Sequence, residues 1–314
     1  MQPPYDKMND KSTWRFEYSH RDQCPCGESL QSSQKSIVKK FPRGDISFAQ
    51  CDRCLSWVQS PALTPASLSN WFESWEYWEG GRQKSGIYVD YQGGEASRQV
   101  EGEARYADSL SHLLPKVGNI LEIGCATGSQ LAVLKKHGHT ATGIDISTQL
   151  AESAKTLNGI DVIAKDFMEV DLPDNSFDLI LMLGVVSNLS GISRYIERIR
   201  NLLVPGGFLN FTFPDAASLS ARIYGEKHWM YTPSVNTFYS QKCIENLCAK
   251  AGLQIVSIKH DKQKPVLAKA FSLAGLSLFG TMLKSVGASN ACLPVQLPIP
   301  GVLSVVCQNQ CLRP

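Results

Sequence analysis

Two rhythms of apolar and polar residues divide this chain. From residue 119 onward, short apolar runs of strand length alternate with amphipathic stretches of helix length, the pattern of a parallel sheet wrapped by helices. The runs 119–124, 140–145, 161–165, 177–183 and 208–213 predict five strands, and 129–137 predicts the first helix between them. Ahead of them, 96–114 reads as a polar helix that Pro115 ends. Further forward, Trp71, Trp75 and Trp78 recur at i, i+4 and i+7, one face of a helix and a packing seam between modules. Ser60-Pro61-Ala62-Leu63-Thr64-Pro65 has the composition of a linker. Gly80, Gly81, Gly86, Gly93 and Gly94, interleaved with Tyr88 and Tyr91, predict a loop, with a lid over the core that follows as one use for it. After the core, 265–287 is a Leu- and Phe-rich helical stretch, and 302–306 predicts a last strand at the sheet edge. Burial of that helix against the core, or against a second copy in a homo-oligomer, is the expected use. A membrane interface or a cover over a binding tunnel are the others.

The domain reading is therefore fourfold: a module over 1–70, an aromatic and helical linker over 71–115, an α/β core over 116–260, and a C-terminal helix and strand over 261–314. A length of 314 residues accommodates this division. The formal charge of +2 supplies no global field to recruit nucleic acid or an anionic membrane. The residues before His20 lack an apolar stretch of signal-peptide type, and no run is long enough for a transmembrane span. A cytoplasmic location with reduced thiols is expected.

Ten cysteines are present, and four crowd into the first sixth of the chain. Cys24 and Cys26, then Cys51 and Cys54, form two close pairs separated by 24 residues. Two thiolate pairs joined by a hairpin are what a tetrahedral structural zinc requires. The first pair is one residue shorter than the usual spacing; unligated or redox-active thiols are the competing reading. The other six cysteines, including Cys243, read as small buried hydrophobes. Lys35, Lys39, Lys40 and Arg43 between the pairs read as a solvated hairpin face, with a phosphate contact as the alternative.

The run 119–124 passes through Cys125-Ala126-Thr127-Gly128 into a helix, which sets backbone N–H groups beside any anionic ligand. Asp145 ends the next strand, 21 positions beyond Gly124, where an acid accepts both ribose hydroxyls of an adenosine. Together, Leu121-Glu122-Ile123-Gly124-Cys125-Ala126-Thr127-Gly128, Gly143-Ile144-Asp145-Ile146-Ser147, Asp166-Phe167, Leu172-Pro173-Asp174-Asn175-Ser176-Phe177-Asp178 and Leu202-Leu203-Val204-Pro205-Gly206-Gly207 resemble the class I S-adenosylmethionine-dependent methyltransferases over residues 117–260. With the four cysteines in front, the chain is similar to zinc-containing methyltransferases that include deoxysugar C-methyltransferases.

That resemblance implies a Rossmann-like seven-stranded sheet behind a small zinc-binding hairpin module. It also implies a set of cofactor contacts. Glu122 lies near the amino group of S-adenosylmethionine, and Gly124 and Gly128 let the backbone approach its methionine and ribose. Asp145 holds the ribose with Ile146 beside it, and Asp166 and Phe167 lie at the adenine. Ala126 departs from the family's middle glycine, a change expected to need only a small backbone adjustment.

The family's acid and histidine after the fourth strand are replaced by Ser187 and Asn188, and a second Glu-His pair is absent at Ser234-Val235. Either another residue is the base or the acceptor is already nucleophilic, as an amine, thiolate or enolate is. His228 is the first choice of base, with Tyr231 and Asn188 as residues that orient the acceptor. The expected reaction is methyl transfer to a small-molecule acceptor, with a nucleotide-linked sugar or other biosynthetic intermediate in front. RNA methylation through the zinc module and a cofactor-binding scaffold without turnover are the alternatives.

Overall fold

The computed structural model describes residues 14–31, 33–74, 95–263 and 297–310. Trp75, Trp78, the glycine- and tyrosine-rich loop and the apolar helix at 265–287 lie outside the described residues. In chain order, β1 (Tyr18–Ser19), β2 (Ser36–Phe41), β3 (Gly44–Gln50), β4 (Trp57–Gln59) and β5 (Ala62–Leu63) lead to helix α1 (Pro65–Glu73). Helix α2 (Glu95–Arg105) precedes β6 (Asn119–Ile123), α3 (Ser129–Lys136), β7 (Thr140–Asp145), α4 (Thr148–Asn158), β8 (Val162–Ala164), β9 (Phe177–Leu183), α5 (Ile192–Leu202) and β10 (Leu203–Pro214). Then come α6 (Leu219–Tyr224), β11 (Thr237–Phe238), α7 (Gln241–Lys250), β12 (Leu253–Gln263) and β13 (Leu297–Asn309).

These elements form two compact units that cut the chain differently from a reading in sequence order. The first comprises Met1–Val89, Gly184–Arg198 and Phe213–Ile255; the second comprises Asp90–Leu183, Ile199–Thr212 and Val256–Pro314.

In the second unit, the sheet order is β12-β13-β10-β9-β6-β7-β8, seven strands as the Rossmann-like expectation required. β10, β9, β6, β7 and β8 run parallel. Parallel strands covered on both faces read as continuous apolar runs, and Ile120, Leu121, Leu179, Ile180 and Leu181 are accordingly buried. The strand expected at the sheet edge lies inside it instead: β13 sits between β10 and β12. It runs antiparallel to β10, since Gln308 donates to Gly206 O and Asn210 to Val305 O. Periodicity marks a strand without naming its neighbours, which is why the sequence could not place this one. The expected turn Val204-Pro205-Gly206-Gly207 is absorbed into β10 as an irregularity, where the register with β9 jumps from Leu203↔Phe177 to Phe208↔Leu179.

Gly143 lets β7 pack closely against α3 and the turn before it. A Cβ there would fall 2.5 Å from Leu131 Cδ1 and 2.7 Å from Cys125 Sγ. Gly143→Ala is expected to cost about 1–3 kcal/mol through overpacking, read as a lower thermal midpoint by circular dichroism. An unchanged midpoint would show that the helix gives way freely.

In the first unit, β11, β4, β3 and β2 make a four-stranded sheet, and the β2–β3 hairpin spans the two cysteine pairs as expected. The stretch at 60–65 is more structured than a linker. Ala62 and Leu63 pair with Ser19 and Tyr18, and Thr64 caps α1 by accepting from Ser67 N–H at 3.2 Å, with Pro65 at the start of the helix. Trp71 is buried against Phe16 and Phe41, inside this unit's core. No helix among the described residues is long and apolar enough to cross a membrane.

Candidate functional site

The turn after β6 is wound tightly by local chemistry. Gly124 N–H and Cys125 N–H both donate to Ile144 O, at 2.7 and 3.2 Å, and Gly128 N–H returns to Cys125 O at 2.9 Å. Gly124, Ala126 and Gly128 have φ of 72°, 50° and 70°. Two of these left-handed positions are glycines, for which the conformation is free. Ala126 stays left-handed, at a cost of roughly 1–2 kcal/mol, so its departure from glycine is more than a small adjustment. The Ala126 N–H bond to Asp145 Oδ2, at 2.8 Å, holds it there.

Asp145 ends β7 almost fully buried. Its Oδ1 accepts from Ser147 N–H at 2.9 Å and its Oδ2 from Ala126 N–H. Burial raises its carboxyl above the ordinary range, and the two backbone bonds oppose that. Each oxygen keeps accepting capacity, enough for two adjacent hydroxyls. Ile146, next along, leaves 58% of its surface exposed, an apolar platform beside the acid. Asp166 caps the short turn Phe167–Glu169 by accepting from Met168 N–H at 2.8 Å, and Phe167 is buried.

Glu122 is the anomaly. It is 4% exposed, and its Oε2 has no hydrogen-bond partner among the described residues. Burial pushes its carboxyl up to about 8, against the pull of Arg105 and with help from Asp145. An orphaned buried oxygen calls for a donor that the protein does not supply.

Glu95, at the start of α2, escaped the sequence reading. Its Oε2 accepts from Thr127 Oγ1 at 2.9 Å and Arg98 Nη2 at 2.7 Å, and its Oε1 from Asn158 Nδ2 at 2.7 Å. Burial acts to raise its carboxyl, but hydrogen bonds from Ser129, Asn158 and Arg98 hold it below the ordinary range. Thr127 lies 32 positions away and Asn158 63, so no local pattern announced the cluster.

In the first unit the four cysteine sulfurs all lie within 4.8 Å of one another. Cys24 and Cys54 are 3.5 Å apart, Cys26 and Cys51 3.6 Å. A tetrahedron of zinc–sulfur bonds near 2.3 Å separates sulfurs by about 3.8 Å, so the donor set fits that ion. The short Cys24–Cys26 spacing is accommodated by a turn in which Gly27 N–H reaches Cys24 O at 2.8 Å with Gly27 at φ 95°. Helix α7 supports both turns. Its cap, Ser240, donates to Cys54 O, Lys242 Nζ reaches Arg53 O at 3.1 Å, and Lys250 Nζ reaches Cys26 O at 3.2 Å. Cys243 on the same helix is buried, as expected of it, and also lies in hydrogen-bonding contact with Cys24 and Cys54.

The residues proposed for chemistry are brought together around β11. His228 stacks on Phe238 at 4.9 Å and on Trp229 at 5.5 Å, and Tyr231 meets Phe238, Phe48 and Trp57 edge-on. Asn188 ends the turn Val186–Asn188, which Asn236 N–H ties down through Ser187 O at 2.8 Å. His228 Nδ1 accepts the Met230 N–H at 3.3 Å, which places the proton of the neutral ring on Nε2. Burial lowers this imidazole to about 4, so near neutral pH the ring offers a donor. The base expected of His228 thus has its Nδ1 engaged by a backbone amide, with Nε2 the ring nitrogen left to face a ligand.

Sequence reasoning also missed three buried polar atoms nearby with no hydrogen-bond partner among the described residues: Ser187 Oγ, Asn236 Nδ2 and Tyr239 Oη. Asn236 Oδ1 accepts from the Arg21 guanidinium, which fixes its amide with the donor side turned away.

A family model described as a methyltransferase domain matches residues 98–258, just over half of the 314. The chain belongs to this methyltransferase family. The matched region contains β6, β7 and the Gly124–Gly128 turn, so the family assignment rests on the part of the chain that builds the acid-and-turn site. A malonyl-[acyl-carrier protein] O-methyltransferase from Enterobacter lignolyticus is 26% identical over 157 residues, which cover 49% of this chain and 62% of that protein. A demethylmenaquinone methyltransferase from Tropheryma whipplei is 33% identical over 93 residues, covering 29% and 39%. The chain thus spans less than two thirds of the length of these relatives. A solved S-adenosylmethionine-dependent methyltransferase from Archaeoglobus fulgidus superposes with a TM-score of 0.50 at 16% identity, over 69% of this chain and 98% of its own, a likeness of fold.

Proposed function

We propose that this chain transfers a methyl group from S-adenosylmethionine to a small-molecule acceptor. The observation that carries the reading is the pair of buried acids at the ends of β6 and β7: Asp145, oriented by two backbone amides with accepting capacity to spare, and Glu122, with an orphaned oxygen. Asp145 would accept the two ribose hydroxyls, and Glu122 the ammonium of the methionine portion. The left-handed turn Gly124–Gly128 would follow the ligand's backbone, and Ile146, Asp166 and Phe167 would border the adenine. When bound, the cofactor supplies a methyl carbon made electrophilic by its sulfonium.

Acceptor chemistry falls to the residues around β11. His228, as an Nε2–H donor, would orient the acceptor together with Tyr231 and Asn188. With no base supplied by His228, this favours an acceptor already nucleophilic near neutral pH, an amine, thiolate or enolate. The names of the relatives span malonyl-[acyl-carrier protein] and demethylmenaquinone, so the class of acceptor is read from this chain's own residues. Zinc held by Cys24, Cys26, Cys51 and Cys54 would be structural, because four protein sulfurs leave no open position.

Titration calorimetry with S-adenosylhomocysteine tests the cofactor half. Wild-type protein is expected to bind, and Asp145→Ala to weaken binding about 100-fold, two charge-assisted bonds at about 1.5 kcal/mol each. Absence of binding by the wild type at millimolar ligand would overturn the reading.

A further inference from the structure

The cofactor turn is anchored by a residue outside the turn and outside the two strands that flank it. Thr127, within it, is 1% exposed, and both of its polar ends are taken. Its hydroxyl donates to Glu95 Oε2, and its carbonyl accepts from Asn158 Nδ2 at 2.7 Å. Asn158 closes the circuit by donating to Glu95 Oε1 and accepting from Gln99 Nε2 at 2.7 Å through Oδ1. Arg98 secures the other side, pairing with Glu95 Oε2 and donating from Nε to Ser129 Oγ at 3.3 Å. One carboxylate thus joins the start of α2, the glycine turn, the start of α3 and the end of α4.

We propose that Glu95 is the positioning residue of the cofactor turn: by holding Thr127 and Asn158 together, it sets the backbone of Gly124–Gly128 in the shape that receives the ligand. This rests on the S-adenosylmethionine reading for the identity of the ligand, though the anchoring itself does not. The chemistry requires an acid here. Arg98 and Asn158 present only donors to the side chain, one at each oxygen. A glutamine of the same shape has one accepting atom and one donating atom, so in either orientation its amide faces a donor on Arg98 or Asn158. Glu95→Gln is therefore a disruptive substitution despite its conserved size.

Two readouts separate this role from general stability. Amide hydrogen exchange on ligand-free protein should show Ala126 and Gly128 exchanging about tenfold faster in Glu95→Gln, with the central strands β6 and β9 unchanged. S-adenosylhomocysteine should bind about tenfold more weakly to Glu95→Gln and to Thr127→Val, and about tenfold rather than a hundredfold more weakly to the double variant, since both changes cut one connection. Unchanged exchange in the turn, or losses in affinity that multiply, would overturn the proposal. Faster turn exchange in a protein whose wild type ignores the ligand would support the anchoring and remove the cofactor reading instead. Thr127→Val keeps the test open should Glu95→Gln fail to fold.

Discussion

Removing zinc with a chelator, or replacing Cys51 by serine, is expected to unfold the first unit. Structural zinc contributes on the order of 10 kcal/mol or more to small folds that depend on it, and here the four sulfurs are wired into more than their own hairpin. Ser240 and Ser56 bridge Cys54 to the start of α7, and Lys250 holds the Cys26 carbonyl at its end. Loss of the metal would leave four buried thiolates crowded within 4.8 Å, a repulsion relieved by protonation or by opening the turns. The readout is selective, because the four tryptophans among the described residues, Trp14, Trp57, Trp71 and Trp229, belong to the first unit. A red shift in tryptophan emission is expected, with S-adenosylhomocysteine affinity retained within about tenfold, since Glu122, Asp145 and Glu95 belong to the second. One zinc per chain by elemental analysis would accompany it. Purified protein without zinc, together with unshifted emission in Cys51→Ser, would end the structural-metal reading.

The second large effect concerns pH. Glu122 has an ordinary value of 4.5 in the unfolded chain and about 8 when folded. Between those values the folded protein holds a proton that the unfolded chain has released. Stability from this group is therefore fully present below about pH 4.5 and is lost as pH rises toward 8, at about 1.4 kcal/mol per unit and up to about 5 kcal/mol in all. The ligand-free wild type should lose urea stability between pH 5.5 and 7.5, monitored by far-ultraviolet circular dichroism. Glu122→Gln cannot ionise and should lose about one proton's worth of that slope. Equal slopes in the two proteins would mean that Glu122 is ionised in the fold. Asp145, also raised by burial, contributes in the same direction in both proteins, so the difference between them isolates Glu122.

The sequence was most legible where function and local geometry coincide. The run from Leu121 to Gly128 combines strand, turn and helix start within eight positions, and the acid that completes it ends the next strand. Such features are written in short stretches, and the structure has them where they were expected. What escaped depends on partners far apart in the chain. Glu95 is an unremarkable polar residue until Thr127 and Asn158 arrive beside it. Cys243 looks like any buried thiol until α7 brings it to Cys24. The position of β13 between β10 and β12 is a matter of sheet order, which no periodicity encodes. His228 shows a finer limit: the sequence supplies the imidazole, but only the amide of Met230 decides which nitrogen holds the proton. The stretch at 60–65 is a different case, since Thr64-Pro65 carried a helix-start signal that its linker-like composition outweighed.

The first unit is threaded from three separate stretches of chain, Met1–Val89, Gly184–Arg198 and Phe213–Ile255, and the second from the pieces between and after them. Gene truncation at any one position therefore yields no intact half, and the cysteine hairpin cannot be moved to another enzyme as a cassette without α7 and β11. An insertion or deletion acceptable to one unit must also preserve the entry and exit points of the other. Divergence in such a chain is expected to proceed by substitution within both units together rather than by exchange of parts.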